Sequence, residues 1–69
     1  MKNFVRDRRM ALGMTQDELS EKLDVSRQTI ISLEKGKYNP SINLAFKISR
    51  LFQCTIEQLF IYEEDEKNV

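Results

Sequence analysis

Between Ser26 and Lys35 the chain reads SRQTIISLEK. On a helical wheel at about 100° per residue, Ile30 and Leu33 fall on one side. Gln28, Ile31, Ser32 and Lys35 fall on the other, with Arg27 on the flank near the start of the segment. The first pair suits a core. The second set displays an amide, a hydroxyl, a guanidinium, an ammonium and one apolar group, an inventory that can read nucleic-acid base edges. A glutamine pairs with adenine through two hydrogen bonds and an arginine with guanine, a serine meets donor or acceptor edges, and an exposed isoleucine touches the thymine methyl. Arg27, Gln28, Ile31 and Ser32 are therefore the candidate base contacts, although a surface apolar residue is the plainer reading of Ile31 taken alone.

Other chemistries are poorly supplied. The chain has no histidine and a single cysteine, Cys54, so a thiol nucleophile lacks its usual base partner. The commonest zinc ligand is missing, and an intrachain disulfide framework is excluded. Asp17, Glu18 and Glu21 lie on what reads as a solvated helix, and no Gly-rich phosphate-cradling loop is present. The sequence predicts a protein that is not an enzyme and that uses no cofactor and no metal.

The elements that would position this stripe are legible from caps and spacing, and strand signals are scarce. Five short helices are predicted. The first runs from about Asn3, as N-cap, to Leu12, with Val5, Arg9 and Leu12 sharing a face and Gly13 taking the left-handed conformation that ends it. Thr15-Gln16-Asp17-Glu18 matches a capping box and opens a second helix, with Leu19 and Leu23 inward and Asp24 suited to a positive φ at its end. Ser26 caps the third helix, which runs to about Lys35 and is closed by Gly36. Asn39-Pro40 marks a loop. Ser41 caps a fourth helix whose Leu44, Ala45, Ile48, Leu51 and Phe52 form a broad buried face. Thr55-Ile56-Glu57-Gln58 repeats the capping box before Leu59 and Phe60. The apolar run Phe60-Ile61-Tyr62 is compatible with a helix end, an edge strand or a subunit contact.

Sixty-nine residues, 41% of them hydrophobic and 32% charged, allow one small core and little independent stability, so a partner subunit is plausible. Net charge is zero, but Glu63, Glu64, Asp65 and Glu66 are gathered in a terminal tail. Residues 1–62 carry ten basic against seven acidic side chains, and residues 26–50 carry Arg27, Lys35, Lys37, Lys47 and Arg50 against Glu34 alone. Local positive charge of this size suits a phosphate-binding face and equally an ordinary solvated surface. Residues 1–62 read as one domain and 63–69 as an acidic tail. Apolar runs fall far short of the length needed to span a bilayer, and the N-terminal residues lack the apolar stretch of a signal peptide. No membrane partner and a cytoplasmic location are expected.

A more specific signal is the joint spacing of Arg9, Gly13-Met14-Thr15-Gln16, Leu19, Val25-Ser26, Ile30, Leu33-Glu34-Lys35-Gly36-Lys37, Asn39-Pro40 and Leu59-Phe60. From Val5 to Phe60 the chain resembles the phage Cro and lambda-repressor family, the xenobiotic-response-element type of bacterial regulator, with Gln16 to Lys35 as its helix-turn-helix. Ser20 stands where this family usually has alanine, and Asp24 where it usually has glycine. The resemblance implies an all-α, five-helix DNA-binding domain whose third helix enters the major groove. Gln16, Ser26, Lys35, Lys37, Tyr38 and Asn39 would meet the sugar-phosphate backbone, and Arg9 and Glu34 would form a structural ion pair.

The same resemblance implies a sequence-specific transcriptional regulator, a repressor, bound as a homodimer to a near-palindromic operator. With no ligand-binding domain expected, a signal would act through a partner protein, a co-regulator, or through expression level. The small Gram-positive members, such as the cytolysin repressor, are especially similar. By that likeness Phe60-Ile61-Tyr62-Glu63 would be a short strand paired with the partner subunit, with Phe60, Ile61 and Tyr62 as the dimer interface. The rival expectation is an antitoxin-like or adaptor module that uses the same fold to bind a protein.

Overall fold

The computed structural model describes residues 1–62; the acidic tail, 63–69, lies outside the described residues. In chain order the elements are β1 (Lys2–Asn3), α1 (Val5–Ala11), α2 (Gln16–Leu23), α3 (Arg27–Glu34), α4 (Ile42–Phe52), α5 (Ile56–Leu59) and β2 (Phe60–Ile61). All five predicted helices form. Their starts are fixed by side chains acting over three residues. The hydroxyls of Thr15, Ser26, Ser41 and Thr55 accept from the backbone N–H groups of Glu18, Thr29, Leu44 and Gln58, and the Thr15 and Thr55 boxes are closed reciprocally by Glu18 and Gln58.

The ends of the four longer helices share one solution. A residue with positive φ (Gly13, Asp24, Gly36 and Gln53) donates its N–H back to a carbonyl three residues earlier, and the following residue donates to a carbonyl five residues earlier. This is the Schellman closure, which satisfies carbonyls that a helix end otherwise leaves bare. At Asp24 the left-handed turn is made without glycine, as its place in the sequence predicts. Ser20, the other departure from the family pattern, is buried and donates its hydroxyl to the Asp17 carbonyl at 2.7 Å, so its polar group is satisfied inside the helix pair.

Val5, Leu19, Leu23, Ile30, Leu33, Leu44, Ala45, Ile48, Phe52, Leu59 and Phe60 make one core, against which Met14, Val25, Leu51, Cys54 and Ile56 are half-buried. Full burial of each large aliphatic side chain contributes about 1.5–3 kcal/mol. Both inward pairs, Leu19 with Leu23 and Ile30 with Leu33, are where the spacing placed them, and they let α2 pack on α3.

Two details correct the sequence reading, and a third adds to it. Helix α1 starts at Val5 rather than near Asn3, although Asn3 Oδ1 still accepts from the Val5 N–H at 3.2 Å. Leu12 does not share the buried face of Val5, because the helix stops at Ala11 and leaves Leu12 58% exposed. Phe60-Ile61 is a strand, as one of the readings of that run has it, and within the chain it pairs with Lys2–Asn3. The pair is antiparallel, with Lys2 opposite Ile61 and Asn3 opposite Phe60. Phe60 turns into the core, whereas Ile61 and Tyr62 remain exposed.

Candidate nucleic-acid interface

The α2–turn–α3 unit presents the predicted stripe on the outer face of α3. Arg27 and Gln28 are exposed, and Ile31 and Ser32 are half-buried. Ile31 is thus less open than its outward wheel position suggests. It sits with Gln16, Arg27 and Lys35 along a cleft between the start of α2, the length of α3 and the side of α1. Gln28 and Ser32 lie outside that cleft on the same helix.

The floor of the cleft is a charge network. Arg9 Nε donates to Glu34 Oε2 at 2.7 Å and Arg9 Nη2 to Glu34 Oε1 at 3.2 Å, while Arg9 Nη1 donates to the Met14 carbonyl at 2.8 Å. The two side chains are 12% and 4% exposed, so α1 and α3 are joined by a nearly buried, two-pronged pair whose charges cancel. Gln16 was expected to meet a phosphate directly. Its Nε2 already donates to Glu34 Oε1 at 3.2 Å, and one amide hydrogen remains. The side chain is thereby held at the α2 N-terminus, where the Gln16 and Asp17 N–H groups have no intrahelical acceptor and favour an anion.

At the α3 N-terminus, Ser26 Oγ accepts from the Thr29 N–H and shares a hydrogen with Thr29 Oγ1 at 2.9 Å. Only one of the two hydroxyl hydrogens is used between them, so the pair keeps one donor for a phosphate oxygen whichever way the shared bond runs. At the other end the Schellman closures differ in a telling way. Met14, Val25 and Cys54, which follow the left-handed residues of α1, α2 and α4, are half-buried against the core, whereas Lys37, in the same place after α3, is exposed. An apolar contact usually accompanies this closure; here a cation takes its place. Lys35, Tyr38 and Asn39 are exposed beside it.

Two further residues belong to this surface and were missed. Arg6 lines the cleft with Gln16 and Arg27, and its position three residues before Arg9 on α1 was the available signal. Thr29 completes the Ser26 cap. Arg27 Nε lies 3.7 Å from Asp17 Oδ1, with both side chains more than half exposed. Such a pair is weak and yields easily to a stronger partner. Among the described residues no cluster of histidine, cysteine or carboxylate side chains could hold a metal, and no helix is long and apolar enough to cross a membrane.

The helix-turn-helix family HTH_3 matches residues 5–59. This chain belongs to that family. It is 56% identical over 66 residues to an uncharacterized HTH-type transcriptional regulator, MJ0272, of Methanocaldococcus jannaschii, covering 96% of this chain and 100% of that one. It is 43% identical over 65 residues to the HTH-type regulator YgzD of Bacillus subtilis, 94% and 98% of the two chains. Over 56 residues it is 39% identical to the HTH-type transcriptional activator BcrR of Enterococcus faecalis, 81% of this chain but 28% of that longer protein. The helix-turn-helix is therefore that of a DNA-binding transcriptional regulator, a family without enzymatic activity. Its similar proteins are archaeal as well as bacterial, a wider range than the bacterial type expected from the motif.

Proposed function

We propose that this helix-turn-helix regulator reads a specific, near-palindromic operator as a homodimer, placing α3 of each protomer in successive major-groove turns about 34 Å apart, and that it represses by occupying the site. The observation that carries this reading is the polarity of α3. A stripe able to read bases, Arg27, Gln28, Ile31 and Ser32, is flanked by phosphate-binding groups at both ends. Ser26 stands at its start, Lys35, Lys37, Tyr38 and Asn39 at its finish, and Gln16 and Arg6 line the cleft that runs beside it from Arg27 to Lys35. Phosphate contacts at both ends fix register, and the side chains between them specify sequence. Residues 1–62 act as the DNA-binding unit, and the acidic 63–69 tail is an appendage. The place of action is the cytoplasm, where DNA and any protein co-regulator are met.

A second copy is favoured by apolar surface away from α3. Ile42 and Phe46, one turn apart on α4, are 67% and 50% exposed. Ile42 borders a shallow groove with Pro40, Ala45, Ile56 and Phe60. Ile61 and Tyr62 are further exposed apolar side chains, Ile61 beside Lys2 and Gly36; Phe60 contributes through the groove while its ring serves the chain's own core. YgzD, alike in length and sequence, is named a transcriptional regulator, and BcrR, alike over only part of its length, an activator; repression is the reading kept for this chain because it consists of little beyond the DNA-binding unit among the described residues.

The test is selection from random double-stranded DNA with the purified chain, with its mass measured by light scattering. An enriched near-palindrome bound by a dimer is expected. Salt-labile binding without enrichment would instead favour an adaptor that recognises protein.

A further inference from the structure

The N-terminal segment does more than precede α1. Asn3 Nδ2 donates to the Leu33 carbonyl at 2.8 Å, across thirty positions of sequence, and to the Met1 carbonyl at 3.3 Å. The Met1 nitrogen donates to the Gly36 carbonyl at 2.8 Å. The Met1 carbonyl lies so close to Gly36 that a Cβ there would stand 3.1 Å from it. On its other side the same segment is paired with β2, and the Phe4 N–H donates to the Leu59 carbonyl at 2.8 Å. Two residues of strand thus bridge the last turn of α3 and the β2 ribbon.

We infer that Asn3 is a positioning residue for base reading: its side-chain amide ties the C-terminal turn of α3 to the β1–β2 ribbon and sets the angle at which the helix meets the groove. This rests on the DNA-reading function proposed above. The Leu33 carbonyl is already satisfied by the Gly36 N–H, so the Asn3 bond is not needed to close the helix. What it adds is a tie to a second element. Helix α3 has eight residues, and its buried face is only Ile30 and Leu33, so its pitch depends on such ties. A recognition surface works within roughly 0.5 Å and 10–20° of its productive geometry. The Arg9–Glu34 pair holds the same turn from α1, and Asn3 holds it from the ribbon. Because β2 leads into the exposed Ile61 and Tyr62, the tie also connects the helix to the surface assigned to the second copy.

Asn3→Asp tests this directly, since the carboxylate keeps an acceptor for the Val5 N–H and loses the donor to Leu33. Asn3→Ser, too short to reach Leu33, is the second variant. The readout is the affinity for the enriched duplex divided by the affinity for random duplex DNA. A merely destabilised protein has a smaller folded fraction, which lowers both affinities alike and leaves their ratio unchanged. Ser49→Ala, which removes a buried hydroxyl bonded within α4, provides that control.

Both Asn3 variants are expected to narrow the ratio by about tenfold, comparable to the loss of one paired base contact, while Ser49→Ala leaves it as it is. A ratio unchanged in Asn3→Asp overturns the inference while leaving operator reading intact. A wild-type chain with no preferred duplex overturns the operator reading, and the inference falls with it.

Discussion

At the scale of single residues, similar side chains on one surface divide into reading, anchoring and holding. Gln28 is exposed in the middle of the stripe, so Gln28→Ala is expected to flatten preference at one base position by about 1–3 kcal/mol while sparing nonspecific binding. Lys37→Ala is expected to weaken binding to every duplex alike and to lower the slope of log affinity against log salt by about one. Titrations of matched and scrambled duplexes at several salt concentrations separate the two, and an equal loss on both duplexes for Gln28→Ala would remove it from base reading. Glu34 is a holder. Its 4% exposed carboxylate accepts from Arg9 twice and from Gln16 once, so Glu34→Ala strands a nearly buried guanidinium. A destabilisation of about 3 kcal/mol in urea unfolding is expected, well beyond that of an exposed pair such as Arg27–Asp17.

Among the elements, the helix ends carry the information that the helix middles lack. Asp24 makes a left-handed turn that costs a side chain some strain, and Asp24→Gly is expected to stabilise the chain by about 0.5–1 kcal/mol. Gly36→Ala runs the other way. Its φ of +75° and the Met1 carbonyl 3.1 Å from a new Cβ predict a loss of about 1–2 kcal/mol, and thermal unfolding of both variants checks the pair. The α2 capping box gives a pH signature. The Thr15 backbone N–H that donates to Glu18, helped by the Thr15 hydroxyl, holds the Glu18 carboxyl below its ordinary value of 4.5. A lowered native value means stability that is present in full above about pH 4.5 and is lost as the pH falls through the native value. In Glu18→Gln, which keeps the acceptor but does not titrate, that part of the acid dependence of the thermal midpoint is expected to vanish. These ends were legible in the sequence because a cap acts over three residues and a closure over five.

Over the whole molecule, the proposed DNA-reading stripe lies on α3 and the start of α2, the exposed apolar groove lies beside α4, and Ile61 borders a pocket shared with Lys35 and Gly36 at the end of α3. Ile61→Asp is expected to lower the mass seen by light scattering toward that of one chain while helix content is retained, and an unchanged mass would count against this interface. Most of the fold was readable from the chain alone. Thr15, Ser26, Ser41 and Thr55 announced helix starts, Gly13, Asp24 and Gly36 announced ends, and the leucine and isoleucine spacings picked out the core. The outward stripe of α3 was legible for the same reason, since a wheel needs only neighbours. What the chain concealed was long-range. Nothing local marks Lys2–Asn3 as a strand, assigns Asn3 to the carbonyl of a residue thirty positions away, or pairs Phe60-Ile61 with this chain's own start. Helix starts, helix ends and buried faces are set by bonds and periodicities spanning a few residues, so the sequence determines them unaided. Strand pairing and the makeup of a surface depend on which distant segments the core brings together, and that was decided only when the helices packed.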